Sequence, residues 1–246
     1  VSELAQTPAD EGALSLTNVL LQFGLMCILF NYWSSPVVHP VKMIVVLFHE
    51  MSHGLMALVT GGKILSIEIT PDEGGACETE GGAPLLIVSA GYLGSMLFGG
   101  AILYLSRFRQ QVPLVFGMLS LIVGSAIITV MGDTYSQRFA ATVAAVFVIA
   151  GFLVPAFFGS VCLRAIGTVC CVYSIFDIYW DVLADRGTHA LQNDAVVFSS
   201  LSGVDARTVG MFWLVSCVIF FLFVLKAAVG MSPEDAGDEG GEAAPA

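Results

Sequence analysis

Polar and apolar positions divide the chain into seven long apolar stretches separated by short polar intervals. The stretches run near Leu16–Trp33, Val38–Thr60, Pro84–Leu105, Val112–Met131, Phe139–Phe158, Val161–Leu183 and Val209–Val229. Each approaches the ~20 residues that an α-helix needs to cross a bilayer. The pattern predicts an all-α polytopic membrane protein of about seven transmembrane helices. One interval differs from the rest. After Gly61-Gly62-Lys63, the run Ile64–Thr70 alternates apolar and polar positions with a strand's period of two. Pro71-Asp72-Glu73-Gly74-Gly75 then reads as a turn, with Ala76–Glu80 as a returning strand. A short β-hairpin is therefore expected after the second helix. Two settings are open for it: an ordinary extramembrane hairpin, or an edge strand that holds an extended substrate by backbone pairing.

The longest polar interval between apolar stretches, Asp185–Arg207, leaves no room for a separate soluble domain. The organisation read from the pattern is a polar N-terminal segment (1–15), one membrane-embedded domain (16–230) and an acidic tail (231–246). The tail's Gly, Ala and acid content predicts disorder.

Composition agrees with the membrane class. Hydrophobic residues make up 57% of the chain and charged ones only 12%, with a mean hydropathy of +0.86, against about 25% charged in a soluble domain. The formal net charge of −11 is concentrated near the two ends. The nine Lys and Arg residues are scattered, which argues against a nucleic-acid partner. They also split about evenly between the two sides of a seven-span arrangement, so they set no orientation. Five of the six cysteines lie in apolar stretches and read as small buried hydrophobes; Cys77 alone sits in a polar interval, where a metal or redox role is conceivable.

The chemistry is concentrated in the second stretch, which contains His49-Glu50-Met51-Ser52-His53. On a helix His49 and His53 lie one turn apart on one face, so two imidazoles can reach one ion. Glu50 stands where a general base for an activated water belongs. Three such side chains in a spanning helix are costly unless something pairs with them. A catalytic zinc site takes three protein ligands and leaves one position open. The acids of the sixth stretch, Asp177 and Asp181, are the candidates for the third. Counted along helices that start on one side, His49 and His53 lie roughly 15–20 Å deep and Asp177 roughly 20–25 Å. Asp177 is therefore the expected ligand. Asp181, a turn further on, is either a second contact holding a histidine proton or a water, or a solvated helix end. Ser52, Thr60 and Ser89 are expected to line a water-filled cavity. In the third stretch Gly91, Ser95 and Gly99, at four-residue spacing, predict a tight helix-packing face.

Several motifs occur together and in order: Phe48-His49-Glu50-Met51-Ser52-His53, Thr60-Gly61-Gly62-Lys63, Pro71-Asp72-Glu73-Gly74-Gly75 and Ala90-Gly91-Tyr92-Leu93-Gly94-Ser95. They are followed by Tyr173-Ser174-Ile175-Phe176-Asp177-Ile178-Tyr179-Trp180-Asp181 and Asn193-Asp194-Ala195. Across roughly residues 40–225 the chain resembles the eukaryotic peptidase-like branch of the site-2 proteases, which are intramembrane zinc metallopeptidases. The resemblance implies Zn²⁺ held by His49, His53 and an aspartate of the sixth stretch, with Glu50 as catalytic acid/base. It also implies cleavage of membrane-spanning protein substrates within or near the bilayer. The sequence departs from better-studied members at Asp177, where Ile178 follows instead of glycine. Two other classes compete with the protease: an inactive scaffold or subunit of a membrane complex, and a metal-handling transporter. The chain lacks the internal repeat that many transporters show.

Overall fold

The computed structural model describes residues 16–129, 131–184 and 193–230. The N-terminal segment and the acidic tail expected from the sequence lie outside the described residues. Eight α-helices are present among them: α1 (Leu16–Asn31), α2 (His39–Val59), α3 (Pro84–Leu105), α4 (Val112–Thr129), α5 (Thr134–Leu153), α6 (Ala156–Asp177), α7 (Asp194–Ser202) and α8 (Ala206–Val229). A hairpin of β1 (Lys63–Ile69) and β2 (Gly75–Glu80) joins α2 to α3. The fold is the polytopic all-α membrane class with one small hairpin. Six helices are long and apolar enough to cross a membrane, and the protein is an integral multi-pass membrane protein.

The first expected stretch, Leu16–Trp33, is described as α1 from Leu16, the first described residue, to Asn31. Its contacts to α6 include two buried polar ones, Gln22 Nε2 donating to Thr168 Oγ1 at 2.9 Å and Arg164 Nη2 to Asn18 Oδ1 at 3.1 Å, and an edge-on pairing of Phe30 with Phe176. The expected fifth stretch, 139–158, needs correction. Pro155 cannot continue a helix, so α5 ends at Leu153 and α6 begins at Ala156.

Local signals set the helix boundaries. Prolines occupy the first turns of α2 and α3, where a missing N–H costs nothing. Asp133 caps α5 by accepting from the amides of Tyr135 and Ser136 at 2.8 and 2.9 Å. Asn193 caps α7 by accepting from the Val196 amide at 3.0 Å, and α7 stops at Gly203 with φ +75°.

Helix α3 lies at the centre and packs against α2, α6, α7 and α8. The small-residue face expected on it is present. A Cβ on Gly99 would meet the Cys170 Cβ at 2.5 Å, and one on Gly167 of α6 would meet the Leu103 amide nitrogen at 2.6 Å. Backbones approach this closely only where side chains are absent.

β1 and β2 pair antiparallel, with Lys63 opposite Glu80 and Ile69 opposite Gly75. The hairpin folds back along α2 instead of standing beyond its end. Ile64 lies against Gly54, Gly75 against Glu50, and Glu73 against Lys42 and His39. It therefore accompanies the motif helix over about 18 Å. The outer edge of β1 is occupied: Ile67 bridges to Met131, and the Ile69 amide donates to Ser136 Oγ at 2.8 Å. The other side of the hairpin, through Gly74, Gly75, Ala76, Cys77 and Thr79, borders a cavity.

Candidate metal centre

Three helices build the site. The α2 motif supplies His49 and His53, whose ring centroids are 4.8 Å apart. His53 Nδ1 lies 2.7 Å from the Ile87 carbonyl oxygen. A proton on Nδ1 donates to that oxygen and leaves the Nε2 lone pair for a ligand. The His49 ring meets the Tyr92 ring edge-on at 4.9 Å, and Tyr92 is backed in turn by Trp213. The third member is Asp194, the first residue of α7. Its Oδ2 lies 3.1 Å from His49 Nε2 and 3.3 Å from His53 Nε2. Among the described residues, His49, His53 and Asp194 form the one group of three or more candidate ligands, with ligand atoms within 4.8 Å of one another.

Two observations test whether this donor set fits an ion. Asp194 Oδ2 is buried with no aligned hydrogen bond, although both imidazoles face it. Buried acceptors rarely stay that way without a partner. Gly91 of α3 forms the floor: a Cβ built there would fall within 2.6 Å of His49 Nε2, His53 Nε2 and Asp194 Oδ2. Only glycine lets α3 pass this close to the three ligand atoms, which lie within 4.8 Å of one another, near enough to reach one ion. Two imidazoles and one carboxylate suit Zn²⁺ and leave a coordination position for substrate or water.

Glu50 is buried beside the group at 7% exposure. The backbone of Gly75 packs on it, where a Cβ would sit 2.5 Å from Glu50 Oε1. The adjoining cavity, of about 480 Å³, is lined by His49, Glu50, His53 and Asp194 together with parts of α3, α6 and β2.

The structure brings Asp194, and not the expected Asp177, up to the two histidines. Asp177 lines the same cavity but lies outside the ligand group. The depth count took the polar interval before α8 to lie beyond the membrane. Instead, α6 passes into a π-helical turn (Ile178–Leu183), and α7 returns with its capped N-terminus aimed at the histidines. Asp181 falls in that turn, and its side chain lies outside the described residues. The sequence did carry a signal for Asp194: an Asn-Asp pair directly before an apolar helical run, in which asparagine is the natural N-cap.

The three hydroxyls expected in the cavity are elsewhere. Ser52 Oγ donates to the Phe48 carbonyl, Ser89 Oγ to the Leu85 carbonyl and Thr60 Oγ1 to the Met56 carbonyl. Ser95 and Ser174, 2.9 Å apart, line the cavity in their place. Cys77 borders the cavity outside the ligand group. Burial and the nearby Glu50 carboxylate push its thiol up to about 12.

A sequence profile of the Peptidase M50B-like family matches residues 23–225. No curated protein and no solved structure matches the chain. The match takes in α2, the hairpin, α3, α6 and α7, which together supply every group of the site. With its metallopeptidase motif on a spanning helix and a family profile over most of its length, the chain belongs to the Peptidase M50B-like family.

Proposed function

We propose that the protein is a zinc-dependent intramembrane endopeptidase, with His49, His53 and Asp194 as ligands and Glu50 as the acid/base. The observation that carries this reading is the convergence of three ligand atoms from α2 and α7 within 4.8 Å of one another, beside the buried Glu50. When bound, the ion supplies Lewis acidity toward a peptide carbonyl and a water. The remaining steps belong to the chain's own residues. Glu50 accepts the proton of the attacking water on a carboxylate oxygen and returns it to the departing amine nitrogen. Asp194 compensates positive charge between the imidazoles. The Ile87 carbonyl keeps His53 in the tautomer that presents Nε2. Tyr92 walls one side of His49 and excludes bulk water there.

The substrate we infer is an extended segment of a membrane-spanning protein. Its support is the border between β2 and the cavity, since peptides commonly bind by adding to a strand edge. A purely structural metal site has no need of Glu50 and would be expected to close with a fourth protein ligand; among the described residues the group has three.

The test measures bound zinc together with cleavage of a membrane-spanning reporter, in wild type, Glu50→Gln and His53→Ala. About one zinc per chain is expected in wild type and Glu50→Gln, and none in His53→Ala. Cleavage should fall at least ~10²-fold in both variants. Equal processing by wild type and Glu50→Gln would overturn the protease reading in favour of a scaffold.

A further inference from the structure

The turn of the hairpin carries a feature that the ligand group does not use. Glu73 has φ +67°, a left-handed conformation that side-chain-bearing residues rarely adopt, and is the one such non-glycine among the described residues. Glycines 74 and 75 follow it directly, so a residue suited to that conformation was available next door. The Glu73 side chain explains the choice. Its Oε1 accepts from Lys42 Nζ at 2.5 Å and lies 3.1 Å from His39 Nδ1, while its Oε2 accepts from the Tyr173 hydroxyl at 3.3 Å. The turn is thereby tied to both α2 and α6. Lys42 is nearly buried and lies 5.7 Å from the centre of the Trp33 ring; a cation so placed requires an anion. Two residues beyond Glu73, the Gly75 backbone rests on the Glu50 carboxylate. Glu73 and Tyr173 both line the cavity that holds Glu50.

Taking Glu50 as the acid/base, as above, we propose that Glu73 is a positioning residue whose ties to Lys42, His39 and Tyr173 hold the hairpin so that β2 stays seated on Glu50. Release of the ties lifts the start of β2 away from Glu50 and opens that side of the cavity. Burial pushes the Glu73 carboxyl up, but hydrogen bonds from Lys42 and His39, with the Lys42 charge and the Tyr173 hydroxyl, outweigh it and hold the carboxyl below its usual range. The ties are therefore complete above the ordinary carboxylate range and are lost as pH falls below it. The charged or titratable groups facing the carboxylate are Lys42 and His39 from α2 and Tyr173 from α6.

The test uses Cys77 of β2, which borders the cavity, as a reporter of hairpin position. The full chain in detergent is alkylated with a small maleimide at neutral pH. Labelling is read peptide by peptide, so that exposed Cys27 and Cys162 do not interfere. Glu73→Gln and Lys42→Met are expected to raise Cys77 labelling about tenfold, with bound zinc unchanged and reporter cleavage reduced. The exchanged pair Lys42→Glu with Glu73→Lys should return labelling toward the wild-type rate, which loss of a merely structural side chain would not do. Unchanged labelling in Glu73→Gln, or an exchanged pair that labels as fast as the single variants, overturns the proposal. Should Glu73→Gln lose its zinc, Tyr173→Phe decides: faster labelling with zinc retained supports the tie, and unchanged labelling refutes it. Labelling is independent of turnover, so absence of cleavage by the wild type would refute the peptidase reading and leave the Glu73 result standing.

Discussion

Helices α2 and α5 have similar lengths but opposite surroundings. The apolar window of α2 has a mean hydropathy of 1.3 and is 67% buried within the protein; that of α5 is more apolar, at 1.6, and only 22% buried. On the α4–α5 pair large apolar side chains face outward, Ile128 at 86% exposure and Phe152 at 85%. A helix that faces lipid must be apolar over most of its surface, whereas one wrapped by protein can carry ionisable groups that find partners. The least apolar spans are therefore the place to look for chemistry, and α2 holds the histidines, Glu50 and Lys42. Glycines repeat the contrast. A methyl group added to Gly91 of α3 would meet three ligand atoms, while one added to Gly117 or Gly124 of α4 would meet nothing within 4 Å.

The most severe test of this contrast is Gly91→Ala. Its methyl group would fall within 2.6 Å of all three ligand atoms and force them apart, so bound zinc and cleavage should both fall to background while helical circular dichroism is retained. Full metal content in this variant would show that the ion sits elsewhere. Asp194→Ala beside Asp177→Ala comes next. The first should weaken metal affinity at least ~100-fold, a loss comparable to removing a key site partner; the second should keep its zinc, because Asp177 stands outside the group. Isothermal titration with zinc on stripped protein reads the difference, and equal losses would restore Asp177 as a ligand. A smaller effect is expected at Asn193→Ala, which removes the α7 cap. Helix capping is worth ~1 kcal/mol, so metal affinity should drop by up to ~5-fold if that energy is what aims Asp194. Least of all, Gly117→Ala should alter neither metal content nor cleavage and should shift stability by no more than ~1 kcal/mol, measured as the midpoint of thermal unfolding in detergent.

Much of the architecture was legible in the chain itself. The second stretch, expected at Val38–Thr60, forms a helix at His39–Val59, because prolines and glycines at its ends mark where a helix must start and stop. The hairpin was legible because alternation at Ile64–Thr70 and the Pro-Asp-Glu-Gly-Gly turn are local signals. The break between α5 and α6 was not, since apolar residues run on across Pro155. Nor was the side of α2 along which the hairpin folds, which depends on Gly54 and Gly75 accepting Ile64 and Glu50 at close range. Ser52, Thr60 and Ser89 were misplaced for a related reason: a hydroxyl on a spanning helix can satisfy itself on a carbonyl of its own helix, and no sequence pattern says whether it does.

The sequence by itself determined the membrane class, the motif helix with two histidines on one face and a glutamate beside them, and the hairpin that follows. Those properties depend on periodicity, turn chemistry and apolar length, which act over a few residues. Only the tertiary structure decided that Asp194 comes within reach of both histidines, that the Gly91 backbone packs against the three ligand atoms, and that Glu73 reaches Lys42. Each depends on how close distant segments come when α3 packs between α2, α6 and α7, and that distance is fixed by the packing of the whole bundle.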